Sequence, residues 1–497
     1  MIFSSLQYLL FLPVVVFLYW RTRGSVRVAL VVAASYFFYM SWLPVYGLFL
    51  LALSSITWWL GQGIATAYQK NEKSKAKLLL SLGLLLNLGC LCYYKYANFF
   101  ILNAVEGVNW LRNFFGASAP KPWDAPILDV VLPLGISFFV FEFVHYLADI
   151  YKGNKSISSF MEFSAFASFF PSQIAGPIKR YQDFQEKLTV PEPWSAPLFF
   201  EACALIVQGM FKKIAIADPI GVLVFPPFQT MQLLSAADAT IAAIGFVIQV
   251  YCDFSGYTDI GRGSALLLGI RLPENFNLPY LSVDLGEFWR RWHMSLSTWM
   301  RDYVYIPLGG SRGGTWFSSR NLLITMIACG FWHGASWHYL AFGALHGLGL
   351  IANRVWKDVL KNSKALSSVL ETSAGKAFGL LLTLLFIAFT DTVFRSPDIP
   401  HAFNMFRSLL NIGAPCTMLP ALFKSGIIQF FSVYFFFWVM LEVVTKYPEK
   451  FPWLRDSAQD IRLKFSTPVR LASWTAAVIL LFAAKPNEAV PFVYFQF

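Results

Sequence analysis

Six histidines occur in the 497 residues, and four of them lie between positions 293 and 346. His333 is flanked by small residues in Gly330-Phe331-Trp332-His333-Gly334-Ala335. A neutral imidazole with a reference pKa near 6.5 can take a proton from a hydroxyl that attacks an acyl carbon. Such general-base help is worth about 10²- to 10⁴-fold in rate. The flanking glycines are expected to leave room for a substrate beside the ring. A core histidine bonded to a carbonyl, or a Trp-His pair at the lipid interface, would produce the same string. His293 follows Phe288-Trp289-Arg290-Arg291-Trp292, a mixture that also anchors helices at lipid headgroups. His338 and His346 stand five and thirteen residues after His333, off the i, i+4 face of a helical metal pair, so no metal site is expected.

Other chemistry-bearing residues are scattered. Glu142, His145 and Asp149 are spaced to share one helical face in an apolar segment, which implies a hydrated cavity or an internal ion-pair partner. The turn Gly309-Gly310-Ser311-Arg312-Gly313-Gly314 offers backbone N–H groups and a guanidinium to a phosphate, without the Gly-Lys-Ser/Thr ending of a P-loop. The chain closes on Pro491-Phe492-Val493-Tyr494-Phe495-Gln496-Phe497. This string suits an aromatic belt at a membrane interface. Tyr494 is also ten residues past Ala484, and extended chain covers ~30 Å over that stretch. Half the hydrocarbon core is only about 15 Å. The tail can therefore fold back into the protein.

What must position these residues is a set of membrane helices. The chain is 57% hydrophobic and 13% charged, against about 25% charged in soluble proteins. Its apolar residues fall in long runs near 5–20, 28–42, 44–60, 78–94, 128–150, 239–252, 321–340, 341–353, 377–394, 425–445 and 470–484. The expected fold is an all-α polytopic membrane protein of about eleven crossings. Interrupted stretches near 160–176, 197–217 and 256–270 are expected as re-entrant or broken helices, and 273–320 as interfacial. The first run, without a basic leader or cleavage site, is expected to be a retained membrane helix. No internal repeat is visible.

The net charge of +11 resides in short clusters between the apolar runs, which excludes nucleic acid in favour of cytoplasmic flanks. Arg21, Arg23 and Arg27 follow the first run, Lys70, Lys73, Lys75 and Lys77 follow the third, and Lys152 and Lys155 come after one more hairpin. With the basic stretch 446–470, these clusters put both termini on the extracytoplasmic side. The six cysteines show no CxxC pair and are expected as free thiols among apolar side chains.

Several ordered motifs carry a resemblance. They are Met-Ile-Phe-Ser-Ser at the start, Tyr94-Lys95-Tyr96-Ala97-Asn98-Phe99, Leu132-Pro133-Leu134-Gly135-Ile136-Ser137-Phe138 and Ile174-Ala175-Gly176-Pro177-Ile178. The most specific run goes from Asp253-Phe254-Ser255-Gly256-Tyr257-Thr258-Asp259 through Pro273-Glu274-Asn275-Phe276-Asn277 and Phe288–His293 to Arg301-Asp302-Tyr303 and Phe331-Trp332-His333-Gly334. Together they resemble the membrane-bound O-acyltransferase family, in its alginate O-acetyltransferase-like bacterial branch. The resemblance implies a single transmembrane domain over 1–497, a helical bundle around a tunnel open to both faces. It implies His333 as the catalytic histidine and His293 as a second active-site histidine. Phe492-Val493-Tyr494-Phe495 looks like the family's Phe-x-Tyr-Phe motif, making Tyr494, in the extracytoplasmic tail 485–497, an acyl-acceptor relay. Arg290, Arg291, Trp332, Asp253 and Arg312 are candidates for lining the tunnel or holding the donor.

The implied activity is transfer of acetyl from a cytoplasmic thioester, acetyl-CoA, across a bacterial inner membrane for polysaccharide O-acetylation, with no tightly bound cofactor. The implied partners are membrane lipids, a polysaccharide synthesis machinery and a periplasmic SGNH or serine-hydrolase-type acetyltransferase. D-alanyl or lipid O-acyl transfer on the same fold is the nearer alternative. A transporter or polysaccharide-export component is the distant one.

Overall fold

A computed structural model describes residues 1–3, 5–115, 123–174 and 176–420. Tyr494, the tail 485–497, the runs 425–445 and 470–484 and the basic stretch 446–470 lie outside the described residues. Within them the structure is helical, with no β-strand.

The described residues divide into two compact units, the first formed by Met1–Ile206 and Tyr257–Phe386 and the second by Val207–Gly256 with residues 387–420. The first unit opens with α1 (Leu6–Arg21), α2 (Gly24–Met40) and α3 (Pro44–Gln69). Ser5 caps α1 by accepting from the Tyr8 amide at 3.2 Å. Along α1, Tyr8, Leu12, Val15, Val16 and Tyr19 are buried, while Leu6, Leu10, Val14 and Phe17 face outward. A helix that is apolar on its outer face as well as its inner one is built for lipid rather than water. Next come α4 (Lys73–Leu91), a π-helical turn (Cys92–Tyr96) and α5 (Ala97–Phe114), one continuous helical run of 42 residues.

Four helices or helical runs among the described residues are long and apolar enough to cross a membrane: Pro44–Gln69, Lys73–Phe114, Ala236–Leu267 and Ser373–Arg395; Leu6–Arg21 and Gly24–Met40 are apolar but shorter. The protein is a multi-pass membrane protein. Other expected runs resolve into shorter pieces, each for a local reason. The run 128–150 is non-helical from 128 to 133, held where Asn98 both donates to the Leu128 carbonyl and accepts from its amide. Helix α6 (Ile136–Tyr151) starts only after Gly135. That glycine has φ +72°, and a Cβ there would lie 2.5 Å from the Gln173 carbonyl oxygen.

Past α7 (Phe160–Ser168), α8 (Tyr181–Thr189) and α9 (Ala196–Met210) comes a second π-helical turn (Phe211–Ala217), then α10 (Asp218–Gln229) and α11 (Ala236–Leu267). Helix α11 joins 239–252 and 256–270 into 32 residues, passing from the second unit to the first at Gly256. Its charged end stays helical because Arg262 approaches both Asp259, at 3.7 Å, and Glu274, at 3.3 Å.

The region 273–320 is built of two short helices, α12 (Leu285–Arg291) and α13 (Met294–Met300), and a π-helical turn (Arg301–Tyr305). The run 321–340 is broken: α14 (Thr315–His333) ends at the histidine, and α15 (Trp337–Asn362) begins after an extended Gly334. Short α16 (Lys364–Glu371) precedes α17 (Ser373–Arg395), and α18 (Ile399–Ser408) lies in the second unit.

Candidate functional site

Helices α14 and α15 form a hairpin with almost no space between the backbones. A Cβ on Gly330 would sit 2.2 Å from the Tyr339 carbonyl oxygen, and one on Gly343 would sit 2.3 Å from that of Met326. A Cβ on Gly334 would strike the Tyr339 ring at 2.2 Å. The glycines around His333 therefore serve helix packing, and the room expected beside them for substrate is filled by Tyr339.

Open space beside His333 lies elsewhere. His333 is only 5% exposed, and it lines a cavity of about 270 Å³ with Trp42, Lys95, Leu134, Ser137, Ile174 and Trp332. The walls are mainly apolar, with a lysine, a serine hydroxyl and the imidazole as convergent polar groups, the composition of a small-molecule site. Trp42 follows the end of α2 remote from Arg21 and Arg23, so the cavity lies toward that end of the bundle.

His293 is fully buried at the junction of α12 and α13. Its backbone is left-handed, φ +41° and ψ 54°, a conformation costing a non-glycine residue about 1–3 kcal/mol. Asn275 holds the kink. Its backbone carbonyl accepts from the Met294 amide at 2.9 Å, and its Oδ1 accepts from the Ser295 amide at 3.1 Å and hydroxyl at 2.9 Å. The same Oδ1 lies 3.2 Å from His293 Nδ1. An oxygen already accepting from an amide requires that Nδ1 carry the hydrogen, which leaves Nε2 as the acceptor of a neutral ring.

Trp332 links the two histidines. Its ring is 6.0 Å from that of His293 and 5.0 Å from that of His333. On its other side it stacks on Phe141 at 5.4 Å, and Phe141 lies flat on Trp299 at 3.7 Å. Beyond Trp299, a second cavity of about 240 Å³ is lined by Thr298, Ser295, Met294, Lys179, Arg180 and Arg271, among others. Three stacked rings thus run from the wall of the first cavity to a neighbour of the second. His346 joins the cluster through Phe342, 4.5 Å from its ring and 6.1 Å from that of His333, and its Nδ1 accepts from the Trp289 indole at 3.2 Å.

The shared face predicted on α6 is real, and its charges are partnered. Lys179 Nζ lies 2.8 and 2.7 Å from the two Glu142 oxygens. Asp149 accepts from the Tyr303 hydroxyl at 2.7 Å and from Gln182 at 3.1 Å, and the His145 ring stacks against Tyr303. The remaining candidates separate. Arg291 is half-buried and bound to Glu287 at 2.6 Å, while Arg290 and Arg312 are exposed. Asp253 belongs to the second unit, buried 2.8 Å from Lys213. Two site residues lay unassigned inside strings already singled out: Lys95 in Tyr94-Lys95-Tyr96, and Asn275 in Pro-Glu-Asn-Phe-Asn. A lone lysine amid apolar residues was the available signal for the first.

Residues 37–389 match the family description "MBOAT, membrane-bound O-acyltransferase family". The chain belongs to the membrane-bound O-acyltransferase family. It is a membrane-bound acyltransferase, and its family region runs from the last turn of α2 through most of α17. Among its relatives, the probable alginate O-acetylase AlgI of Pseudomonas aeruginosa is 36% identical over 415 residues, 83% of this chain and 75% of the relative. That of Pseudomonas putida is 33% identical over an alignment taking in all of both chains. The peptidoglycan O-acetyltransferase of Helicobacter pylori is 30% identical over 77% of this chain and 73% of its own length. In this membrane-bound O-acyltransferase, His333 and His293 fall inside the matched region, and Tyr494 falls beyond it.

Proposed function

We propose that this membrane-bound O-acyltransferase moves acetyl groups from acetyl-CoA on the cytoplasmic side of a bacterial inner membrane to Tyr494 on the other side, for O-acetylation of a polysaccharide. The observation that carries the proposal is a buried imidazole lining a mainly apolar cavity beside Trp332 and Lys95. The names of the relatives, an alginate O-acetylase and a peptidoglycan O-acetyltransferase, support acetyl as the group and a glycan polymer as its destination.

In the proposed reaction His333 takes the phenolic proton of Tyr494, and the phenoxide oxygen attacks the acetyl carbonyl. The carbon–sulfur bond then breaks, and the thiolate leaves with the proton held by His333. The product is an acetyl-tyrosine ester. A phenol, with a pKa near 10, is a better leaving group than a sugar hydroxyl, so the ester retains transfer potential. A periplasmic SGNH or serine-hydrolase-type partner moves the acetyl to the polymer and regenerates the phenol. His293 orients reactants: with Nδ1 donating to Asn275, the neutral ring presents an acceptor and is unsuited to donating to an oxyanion. The apolar walls keep water from the thioester. The basic clusters after α1 and α3 support the cytoplasmic assignment of that face.

The test is mass spectrometry of the C-terminal peptide after incubation of the full chain with labelled acetyl-CoA. Label is expected on Tyr494; its absence from enzyme that releases CoA removes the relay.

A further inference from the structure

The last four carbonyls of an α-helix have no partner within the helix. At the end of α14 these belong to Gly330, Phe331, Trp332 and His333. Three of the four are taken by two consecutive side chains from the π-helical turn after α4. The Tyr96 hydroxyl donates to the Phe331 carbonyl at 3.1 Å, and its ring stacks on that of Phe331 at 4.4 Å. Lys95 Nζ donates to the carbonyls of Trp332, at 2.8 Å, and His333, at 2.9 Å, and lies 3.4 Å from the Ser137 hydroxyl. Lys95 also lines the cavity that His333 lines.

Among the described residues no carboxylate lies within ion-pair distance of Lys95. Its charge is met by helix-end carbonyls, where a macrodipole favours a cation. An ammonium so placed fastens the backbone from which the His333 side chain leaves. It does so from a helix that packs outside the α14–α15 hairpin.

We propose that Lys95 is the positioning residue for His333: by capping the end of α14 it holds the imidazole at the cavity wall in the orientation that proton transfer needs. The proposal rests on the acyl-transfer role given to His333 above. Lys95 acts through the Trp332 and His333 carbonyls and makes no bond to the reacting atoms. Tyr96 is the lesser member of the same clamp.

The experiment measures CoA release by the purified full-length chain in detergent, with kcat and donor KM separated and folding followed by thermal unfolding. His333→Ala is the reference; wild-type turnover in it overturns the base assignment, and the Lys95 role with it. With His333→Ala inactive, Lys95→Met is expected to lose about 10²-fold in kcat, the cost of a misplacement near 1 Å. Its KM should stay within about threefold, because ground-state binding is untouched. Lys95→Gln, which still donates to carbonyls, should recover at least about tenfold of the loss. Wild-type kcat in both variants overturns the proposal. Equal losses in both assign the effect to charge and overturn the capping role. Should Lys95→Met fail to fold, Tyr96→Phe decides with Lys95→Gln. About a fivefold drop in kcat at unchanged KM is expected of Tyr96→Phe, and wild-type kcat in both of these variants again overturns the proposal.

Discussion

Each of the two units holds a lysine among apolar helices, and they solve its charge in opposite ways. In the second unit, Lys213 is locked between Asp218 and Asp253, with Nζ 2.8 Å from each carboxylate, and all three side chains are at most 4% exposed. In the first unit Lys95 meets carbonyls, a hydroxyl and the face of Trp332, with no carboxylate in reach among the described residues, and part of it opens on a cavity. Removing one partner from a closed ion-pair cluster leaves an uncompensated charge, and the penalty falls on stability. A cation satisfied by a helix end beside an open space touches the orientation of the residue at that end. Lys95 should therefore report in turnover, and the Lys213 cluster in folding, as should the closed Glu142–Lys179 pair of the first unit.

Several substitutions can break that contrast. The largest effect is expected of His333→Ala, a loss of about 10²- to 10⁴-fold in acetyl transfer with unchanged thermal unfolding; wild-type transfer would remove the catalytic site from the first unit. Asp218→Asn should destabilise the chain by about 3–5 kcal/mol, seen as a lowered unfolding midpoint in detergent, while turnover per folded molecule stays at the wild-type level. Loss of turnover without loss of stability would erase the distinction between the two lysines. Asn275→Ala frees His293 Nδ1 and one oxygen's worth of hydrogen bonds, and about a tenfold fall in kcat is expected. A pure KM effect there would reassign His293 to binding. Arg312→Ala, at an exposed guanidinium, should raise donor KM by at most about fivefold, an effect that added salt suppresses.

Much of the first unit was legible in the residues because each signal was local. Apolar runs foretold α1, α2, α3 and the core of α17, and Glu142, His145 and Asp149 announced a buried polar face that proved to hold an ion pair. His333 and His293 stood out as ionisable groups in apolar or aromatic surroundings, and one tryptophan bridges them. What escaped depends on contacts distant in sequence. Nothing near Gly330 or Gly334 says that Tyr339 fills the space beside them. Nothing near Tyr94 says that Lys95 and Tyr96 cap helix-end carbonyls 237 and 235 residues away. Helix ends were misread for a related reason. Two expected runs, 321–340 and 128–150, carry on through 334–336 and 128–133, whereas the breaks follow from backbone geometry at Gly334 and from the Asn98 clamp on Leu128. Of the candidates for lining the tunnel or holding the donor, Asp253 lies in a buried ion-pair cluster of the second unit, and Arg290 and Arg312 are exposed.

The glycine seam of the α14–α15 hairpin has a practical consequence for anyone wishing to change which acyl group is accepted. Two helices touching backbone to backbone act as a rigid ruler, so that even one added methyl would displace the imidazole along with its helix. Enlarging the chamber is better attempted on the opposite walls, at Trp42, Leu134 or Ile174. There a trimmed side chain adds volume for a longer acyl chain without moving the His333 ring.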